Sequence, residues 1–412
     1  MNSVLDLEHE ISVRKSKSVC MRFDARTALV LLAFCEKNII RYFALAFSFI
    51  PSVGDYYLCI VPFLYISLFL CYLFQNGLKT VFVRDYLFLF TIILAILSTL
   101  LLYPSNVPFI LDSNNFWNSI FPCFYFYLIG LIILPNEKTF GLIAKASCIA
   151  IVLETAFLFL YMIPRGLAVD DDMNRSYQLL PNVLFVISFA IRRKNLITWL
   201  FAALGIFYTF SLGTRGPVLV IFVFIFSSFL LAKSVKKSIK IIVTSLFLFT
   251  IIVFVTPMLR ESLLTPLNNL LKQLGLSTRI IDSFLYEKVS SSFDSGRSEL
   301  YAIVFKKLLE RPLIGYGVYG EWQWIGWTAH NIFLEILIHY GFIFGIVLIS
   351  WVLINVITQF LKTKNDISRN IILIFICFVF VRGLIGGSYL SYGLFFLMAF
   401  CTRELSRRKR YV

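Results

Sequence analysis

The chain alternates between long apolar runs and short polar segments over nearly its whole length. Apolar runs of about 17 residues or more are long enough to cross a bilayer as α-helices. We count twelve apolar runs, most of them of this length, so the predicted fold is an all-α polytopic membrane protein with about 12 transmembrane helices. Charges interrupt the first run, and the sixth and twelfth are short enough to be tilted or partly re-entrant. The predicted spans are 29–50, 56–74, 86–103, 116–134, 141–163, 179–191, 196–213, 217–232, 239–257, 331–358, 370–387 and 388–402.

Composition supports this class of protein. Hydrophobic residues make up 59% of the chain and charged residues 15%, against roughly 45–50% and about 25% in soluble domains. Walker, H-E-x-x-H and C-x-x-C motifs are absent, so no site with these signatures and no cofactor is predicted. None of the eight cysteines lies between 258 and 329, which excludes a disulfide framework there.

The distribution of Lys and Arg predicts the orientation. Cytoplasmic loops carry the excess of positive charge, and the loops near 51–55 and 104–115 contain neither Lys nor Arg. Both termini are therefore predicted to be cytoplasmic. The net charge of +15 then reflects orientation rather than nucleic-acid binding, because the basic runs are short and flank membrane spans. The predicted regions are a cytoplasmic tail (1–27), spans one to nine (28–257), a large extracytoplasmic loop (258–329), spans ten to twelve (330–402) and a basic cytoplasmic tail (403–412).

The end of the large loop, SELYAIVFKKLLERP, predicts an amphipathic helix. Its apolar residues recur at helical spacing, so one face can pack on the bundle or lie at the membrane interface. Pro312 is expected to end it. The apolar positions are Leu300, Ile303, Val304, Leu308 and Leu309.

Two arginines on the predicted outer side could bind an anion. Arg215, in SLGTRGP, ends one span, where it can either snorkel to a lipid phosphate or bind a substrate anion. Arg297, in DSGRSELY, begins the amphipathic helix, where free N–H groups and the helix dipole favour an anion. Alone, Arg297 could equally be a solvated first-turn residue.

His330 stands at the mouth of the tenth span, in AHNIFLEILIHYGFIFG. A histidine there can be a buried core residue, a metal ligand or a base. No second histidine follows at ligand spacing, so no metal site is predicted. Asn331 offers a donor and an acceptor beside it. Glu335 lies five residues on, off the face of His330, and is predicted to be a buried partner of an arginine.

Three further arginines occupy unfavourable positions for a positive charge. Arg165 and Arg175 lie in the predicted outer loop PRGLAVDDDMNRSYQ, against the charge rule. Arg382 is near the outer end of the eleventh span, where a charge is costly unless it is paired. Arg382 is therefore predicted to contact an anion or to pair with Glu335.

The segments SLGTRGPVLV, SGRSELYAIVFKKLLERPLIGYGVYG and AHNIFLEILIHYGFIFG together resemble the O-antigen ligase and polymerase superfamily of bacterial membrane glycosyltransferases. The resemblance covers about 205–345. It implies that Arg215 and Arg297 bind the diphosphate of a polyprenyl donor and that His330 acts in catalysis. It also implies a bacterial inner membrane protein with its active site on the extracytoplasmic face.

The leading hypothesis is a polysaccharide polymerase that joins undecaprenyl-diphosphate-linked repeat units by metal-independent, inverting transfer to an acceptor sugar hydroxyl. Partners would be membrane lipids, with a flippase and a chain-length regulator. Trp327 and its aromatic neighbours suit either sugar stacking or an interfacial aromatic belt. The alternatives are a ligase acting on lipid A–core or another acceptor, a flippase or transporter for the lipid-linked sugar, and a membrane scaffold. The predicted substrate-binding residues are Arg165, Arg175, Arg382, Glu335, Asn331 and Trp327.

Overall fold

A computed structural model describes residues 24–46, 53–76, 86–112, 115–165, 173–231, 257–274 and 297–408, with a few more between 236 and 285. In these residues every regular element is helical, as predicted. Most of the N-terminal tail (1–27), most of the predicted ninth span (239–257) and residues 409–412 lie outside the described residues.

Fourteen α-helices are present in the described part of the chain. Turns of π-helix also occur, at Phe116–Ile120, Leu158–Met162 and Cys377–Val381. The helices are α1 (Ala25–Ala46), α2 (Val53–Asn76), α3 (Leu87–Leu102), α4 (Val107–Leu111), α5 (Phe121–Ile132), α6 (Glu137–Phe157), α7 (Met173–Arg193), α8 (Leu196–Ser211), α9 (Arg215–Leu231), α10 (Pro257–Gln273), α11 (Arg297–Glu310), α12 (Ile332–Lys362), α13 (Asp366–Ile376) and α14 (Tyr392–Arg408).

Two of these helices are long and apolar enough to cross a membrane: α12, and α6 with its extension to Arg165. A third candidate joins α3 to Pro104–Leu111, but the two parts are bent by 108°. Four further apolar stretches of helix are shorter, at 10–17 residues. The all-helical architecture and two clear span candidates are thus established, while the count of twelve spans stays a prediction.

Helix α7 lies at the centre of the bundle. The side chains of Leu180 and of 183–187 are fully buried, and α7 packs against α6, α8 and α9. At 21 residues it is longer than the predicted span 179–191, because its polar ends continue the helix beyond the apolar run. The chain thus places the polar first turn of α7, at 174–178, at one end of the core.

Helix α14 also exceeds its prediction. It runs to Arg408, so the predicted boundary between the last span and the basic tail falls inside one helix. Gly130 of α5 lies against α14, since a Cβ built there would be 2.6 Å from the carbonyl oxygen of Phe396. This close approach joins the N-terminal and C-terminal helices into one core.

Helix α12 is broken near its first third. Gly341 has φ 73° and ψ 178°, which no helical residue adopts. The preceding loop docks on the break: the N–H groups of Tyr316 and Gly317 donate to the carbonyl oxygens of Ile338 (2.8 Å) and His339 (2.9 Å). The carbonyls that the break leaves unbonded are therefore satisfied by the protein's own backbone.

The amphipathic helix α11 forms as predicted and ends at Glu310. Val304 and Leu308 are fully buried and pack with Ala329 and Ile338. Two other positions of the predicted apolar face, Ile303 and Leu309, are 49% and 57% exposed. One edge of the face thus packs on α12, while the other is exposed at the surface of the bundle.

Candidate active site

His330 and Arg297 lie close together, at the starts of α12 and α11. Tyr301, one turn into α11, donates its hydroxyl to the carbonyl oxygen of His330 at 3.4 Å. His330 has φ 53°, in the left-handed region where residues other than glycine are uncommon. Such backbone strain is often found at functional sites. The packing of α11 on α12 therefore brings together two of the three residues that the resemblance singled out.

The environment of His330 favours its neutral form. Burial lowers the pKa of His330 below its ordinary value, and the positive charge of Arg297 lowers it further. At neutral pH the imidazole is thus unprotonated and able to accept a proton. A base of this kind beside a cation suits a reaction in which a hydroxyl loses a proton while negative charge develops nearby.

Tyr177 of α7 connects this pair to the third predicted residue. Arg215 is the first residue of α9, and a Cβ built on the adjacent Gly216 would lie 2.3 Å from the Tyr177 hydroxyl. A Cβ built on Gly386 would lie 3.8 Å from the same hydroxyl and 3.9 Å from Nη2 of Arg297. One tyrosine hydroxyl therefore lies between the segment that begins with Arg215 and the segment that carries Arg297.

A second contact fixes the start of α9 on α7. The hydroxyls of Ser176 and Thr214 are 2.5 Å apart, and both residues are buried. With Gly216 packed on Tyr177, this hydrogen bond determines where the chain turns into α9. The glycine beside Arg215 is thus required by close packing against Tyr177.

Arg382 packs against the ring of Tyr177. Its guanidinium carbon is 4.6 Å from the centroid of the Tyr177 ring and 5.2 Å from that of Phe378. Its Nε is buried and finds no hydrogen-bond partner among the residues that the structure describes. Among the described residues neither Arg382 nor Arg297 forms an ion pair with a carboxylate. Two cations near Tyr177, Arg297 and Arg382, are therefore available to an anion.

Asn331 has a structural role. Its Oδ1 accepts hydrogen bonds from the N–H groups of Phe333 (3.0 Å) and Leu334 (3.2 Å), which caps the first turn of α12. The cap fixes the start of α12 immediately after His330. A part for Asn331 in substrate binding stays a prediction.

The remaining predicted residues are stacked or exposed. The guanidinium of Arg165 is 3.8 Å from the Tyr161 ring centroid, and that of Arg175 is 4.5 Å from the Phe157 ring centroid. Trp327 is 57% exposed, in the loop before His330. Their proposed contacts with substrate also stay predictions.

Glu335 is fully buried, as predicted, but its partners differ from the prediction. Its carboxylate accepts from the Ser388 hydroxyl at 2.7 Å and from the Tyr389 N–H at 3.1 Å. No ion pair joins Glu335 to Arg382 within the described residues. Glu335 therefore holds the segment 388–389, a few residues from Gly386, instead of neutralising an arginine.

A buried network that the sequence analysis overlooked surrounds Glu335. Nε2 of His339 lies 2.5 Å from Oε2 of Glu321, and its Nδ1 lies 2.9 Å from the Tyr389 hydroxyl. That hydroxyl is 2.7 Å from the hydroxyl of Tyr340. Glu335 and His339 are four residues apart in an apolar helix, and this spacing could have revealed a shared face. Glu321 could not have been assigned to the network, because its contact depends on the loop that docks at the helix break.

Glu321, Glu335 and His339 form the candidate metal-binding group of the described residues, with one ligand atom of each within 4.8 Å of the others. Both ring nitrogens of His339 and both oxygens of Glu335 already have protein partners. Only Oε1 of Glu321 is buried without one. The group is thus largely satisfied by the protein itself.

The glycines of GYGVYG, 315–320, fit the spacing G-x-G-x-x-G. That pattern indicates dinucleotide binding only between a strand and a helix, and the described residues contain no strand here. Gly315 and Gly317 have φ values of 65° and 75°. A Cβ on Gly315 would lie 2.5 Å from the carbonyl oxygen of Ile338. These glycines let the loop pack on α12, so they serve packing rather than phosphate binding.

An all-helical bundle with two clear membrane-span candidates and buried charged side chains is typical of a helical membrane protein. Residues 200–350 match the family model described as O-antigen ligase. This confirms the resemblance to the O-antigen polymerase and ligase superfamily, whose members are glycosyltransferase-like enzymes of O-antigen synthesis. The matched region contains Arg215, Arg297 and His330. Searches of curated proteins and of solved structures gave no significant match.

Proposed function

We propose that this chain is a polysaccharide polymerase that joins carrier-linked repeat units of an O-antigen, capsular polysaccharide or exopolysaccharide. The donor is a glycan on undecaprenyl diphosphate, and the acceptor is a sugar hydroxyl of a second unit. The observation that carries the proposal is the arrangement around Tyr177. Within the part of the chain that the structure describes, Arg297 and Arg382 form no ion pair with a carboxylate, and Arg297 lies near the neutral imidazole of His330. This combination suits a diphosphate and a hydroxyl nucleophile.

In this mechanism His330 accepts the proton of the acceptor hydroxyl. The oxygen then forms a bond to the anomeric carbon of the donor, while the bond from that carbon to the diphosphate oxygen breaks. The electron pair leaves with undecaprenyl diphosphate, and Arg215 and Arg297 stabilise its charge. Attack opposite the leaving group inverts the anomeric configuration. The proton on His330 passes to water before the next cycle.

The positions of the two arginines support their role as diphosphate ligands. Arg215 and Arg297 are each the first residue of a helix, α9 and α11. The free N–H groups and the dipole at a helix N-terminus favour a bound anion. A guanidinium adds two parallel donors, which match two oxygens of a phosphate.

A polymerase must accommodate two carrier diphosphates, one on the growing chain and one on the incoming unit. Arg382 supplies a further cation against the ring of Tyr177, and Arg165 and Arg175 are candidates for contacts with the second carrier. The alternative, a ligase that transfers finished glycan to lipid A–core or another acceptor, needs only one carrier. The number of arginines is therefore the reason to prefer polymerisation.

Transport of the same lipid-linked sugar is the rival from another class. Transporters often contain broken helices with charges at mid-membrane, and α12 is broken near His339. Here, however, the loop 312–317 fills the break, and His339 is paired with Glu321. In a transporter we would expect such groups to line the substrate cavity. Because the polar groups at the break are already bonded within the protein, a structural role for the break is favoured.

We assign the enzyme to the bacterial inner membrane, with both termini cytoplasmic and the site on the extracytoplasmic face. Lipid-linked repeat units reach that face by a flippase, and a chain-length regulator would act on the same polymer. These assignments follow the distribution of Lys and Arg.

Deletion of the gene in the producing strain tests the proposal. A polymerase deletion leaves single repeat units, still passed on by a separate ligase, and no long chains. Complementation with the unaltered chain restores long chains, whereas a His330→Ala variant at equal protein level does not. Accumulation of long polymer on the lipid carrier in the deletion strain would identify the protein as the ligase.

A further inference from the structure

A cavity of about 410 Å³ lies beside the candidate active site and reaches into the helical bundle. Arg382, Tyr177 and Ser388 line it next to the site. Glu36 of α1 and Glu154 of α6 line it as well, and each is only 4% exposed. One cavity therefore contacts one arginine of the candidate site, Arg382, and two buried carboxylates.

Both carboxylates are held in place by donors from other helices. Oε2 of Glu36 accepts from the hydroxyls of Tyr65 (3.0 Å) and Tyr125 (2.5 Å). Charged groups inside a membrane bundle are costly and commonly mark a substrate path. The fixed orientation of Glu36 is what a binding site for directional hydrogen bonds requires.

Glu154 is held in the same way. It accepts from the amide of Asn38 at 2.9 Å and from the Tyr208 hydroxyl at 2.8 Å. Asn38 and Asn182 line the same cavity and are 3% and 6% exposed. Carboxylate and amide groups thus converge from α1, α6 and α7 on one enclosed volume.

The chemistry of the wall indicates its ligand. The volume lies within the range of roughly 300–1,000 Å³ of small-molecule pockets. Aromatic side chains, among them Phe34, Phe126 and Tyr392, alternate with the carboxylates and amides. A pyranose has apolar C–H faces and a rim of hydroxyls that donate and accept, so it matches such a wall. A diphosphate does not, because Glu36 and Glu154 would repel it.

We propose that this cavity binds the sugar attached directly to a carrier diphosphate. The diphosphate stays at Arg382, and the hydroxyls of that first sugar bind Glu36, Glu154 and Asn38. The cavity then selects the first sugar of the repeat unit, whereas Arg382 recognises only the carrier. This inference rests on the proposed function, since it requires a lipid-linked glycan as the substrate.

Binding to the purified full-length chain in lipid nanodiscs tests it. Two probes are compared: undecaprenyl diphosphate alone, and the lipid-linked repeat unit extracted from the producing strain. Glu36→Gln and Glu154→Gln keep the size of the side chain and remove its charge. Each should raise the Kd for the repeat-unit lipid about tenfold or more, because charge-assisted hydrogen bonds are lost. The Kd for undecaprenyl diphosphate alone should not change.

The matched control is Glu404→Gln. Glu404 is 7% exposed and accepts a hydrogen bond from Ser368 at 2.9 Å, but it does not line the cavity. Ala33→Leu, which fills the cavity without altering a polar group, should weaken repeat-unit binding in the same way as the glutamine variants. If a glutamine variant does not fold, Ala33→Leu still tests whether the cavity binds the sugar.

The inference is overturned if the cavity variants bind the repeat-unit lipid normally, or if both probes weaken equally. The sugar-binding inference and the proposed function can be refuted by different results. Polymerisation that is unaffected by all three cavity variants refutes the sugar site alone. If the protein forms no polymer but still binds the repeat-unit lipid in a way that depends on the two glutamates, the polymerase proposal is refuted and the sugar site is retained.

Discussion

Gly341 and Leu313 are in direct backbone contact: a Cβ built on Gly341 would lie 2.4 Å from the carbonyl carbon and oxygen of Leu313. The N–H of Phe342, the next residue, donates to the carbonyl oxygen of Pro312 at 2.6 Å. The loop that leads towards His330 is therefore docked on the helix that follows His330. The geometry of the candidate base depends on this contact, although neither glycine nor leucine is part of the chemistry.

Gly341→Ala should therefore destabilise the protein by roughly 2 kcal/mol or more, since it adds steric overlap to a positive φ. Thermal unfolding in detergent measures the loss. Gly326→Ala is the control, because Gly326 has φ 80° but no atom within 4 Å of its built Cβ. It should cost only the backbone strain, about 1 kcal/mol. Equal losses would show that the contact with Leu313 is unimportant.

Arg215→Lys and Arg297→Lys should each reduce transfer at least tenfold, with protein level unchanged. An ammonium keeps the charge but loses the planar pair of donors. Single-turnover transfer with a lipid-linked repeat unit measures this. Arg311→Lys is the control on the same helix-and-loop segment: Arg311 is exposed and stacks on Tyr316 at 5.0 Å. If both site variants turn over normally, Arg215 and Arg297 do not act as ligands of the diphosphate.

The dependence of transfer on pH should show a base whose pKa is below the ordinary histidine value of about 6.5. The neutral fraction of His330 rises with pH, so kcat/KM should rise on the acidic side and then reach a plateau. Removing the charge in Arg297→Gln should raise the pKa of His330 and move this rise to higher pH. Arg297→Lys should leave its position unchanged.

His330→Ala should abolish transfer and leave donor binding nearly intact, because the histidine acts on the acceptor. Its residual activity should also lose the acidic limb of the pH profile. A His330→Ala variant that turns over at a near-normal rate contradicts the assignment of the base.

Transfer by purified protein should persist in EDTA, because arginines stabilise the leaving group. The test is informative since Glu321, Glu335 and His339 could together hold an ion. Elemental analysis of the same preparation accompanies the assay. A metal would be assigned to this group if EDTA inhibits transfer, if a divalent ion restores it, and if the Glu335→Gln variant is no longer inhibited by EDTA.

The ends of α12 should lie on opposite sides of the membrane. Glu310→Cys lies in the predicted outer segment before α12, and Lys362→Cys lies at the C-terminal end of α12. Each is made in a cysteine-free background, and both native side chains are exposed. An impermeant thiol reagent on intact cells should label position 310 and spare 362, because Lys and Arg predict a cytoplasmic 362. The reverse labelling inverts the orientation, and the proposed site would then face the cytoplasm.

The sequence predicted the elements that carry the site better than the contacts that join them. The start of α11 at Arg297 followed from the helical spacing of its apolar residues, and the position of His330 from the apolar run behind it. Tyr177 carried no such signal, because a tyrosine in a polar first turn is common. Its importance arises from two glycines, Gly216 and Gly386, that approach its hydroxyl from distant parts of the chain.

The same limit applies to Glu335. Its burial followed from its place in an apolar helix, but a carboxylate in such a helix can be neutralised in several ways. The arginine partner was predicted from the charge of Glu335 alone. In the structure a hydroxyl and a backbone N–H from the turn after α13 satisfy it instead, and turns of this kind cannot be placed from periodicity.

The docked break in α12 also sets an order for the synthesis of the protein. Residues 312–317 leave the ribosome before 338–342, so their N–H groups must wait in water or at the bilayer surface until α12 inserts. The loop that carries His330 can reach its final shape only after that insertion, and Glu335 finds its partners only when residues 388 and 389 follow. The hydrogen bonds of Glu335 therefore form only after the helix that carries it has been made, because both donors lie some fifty residues further along the chain.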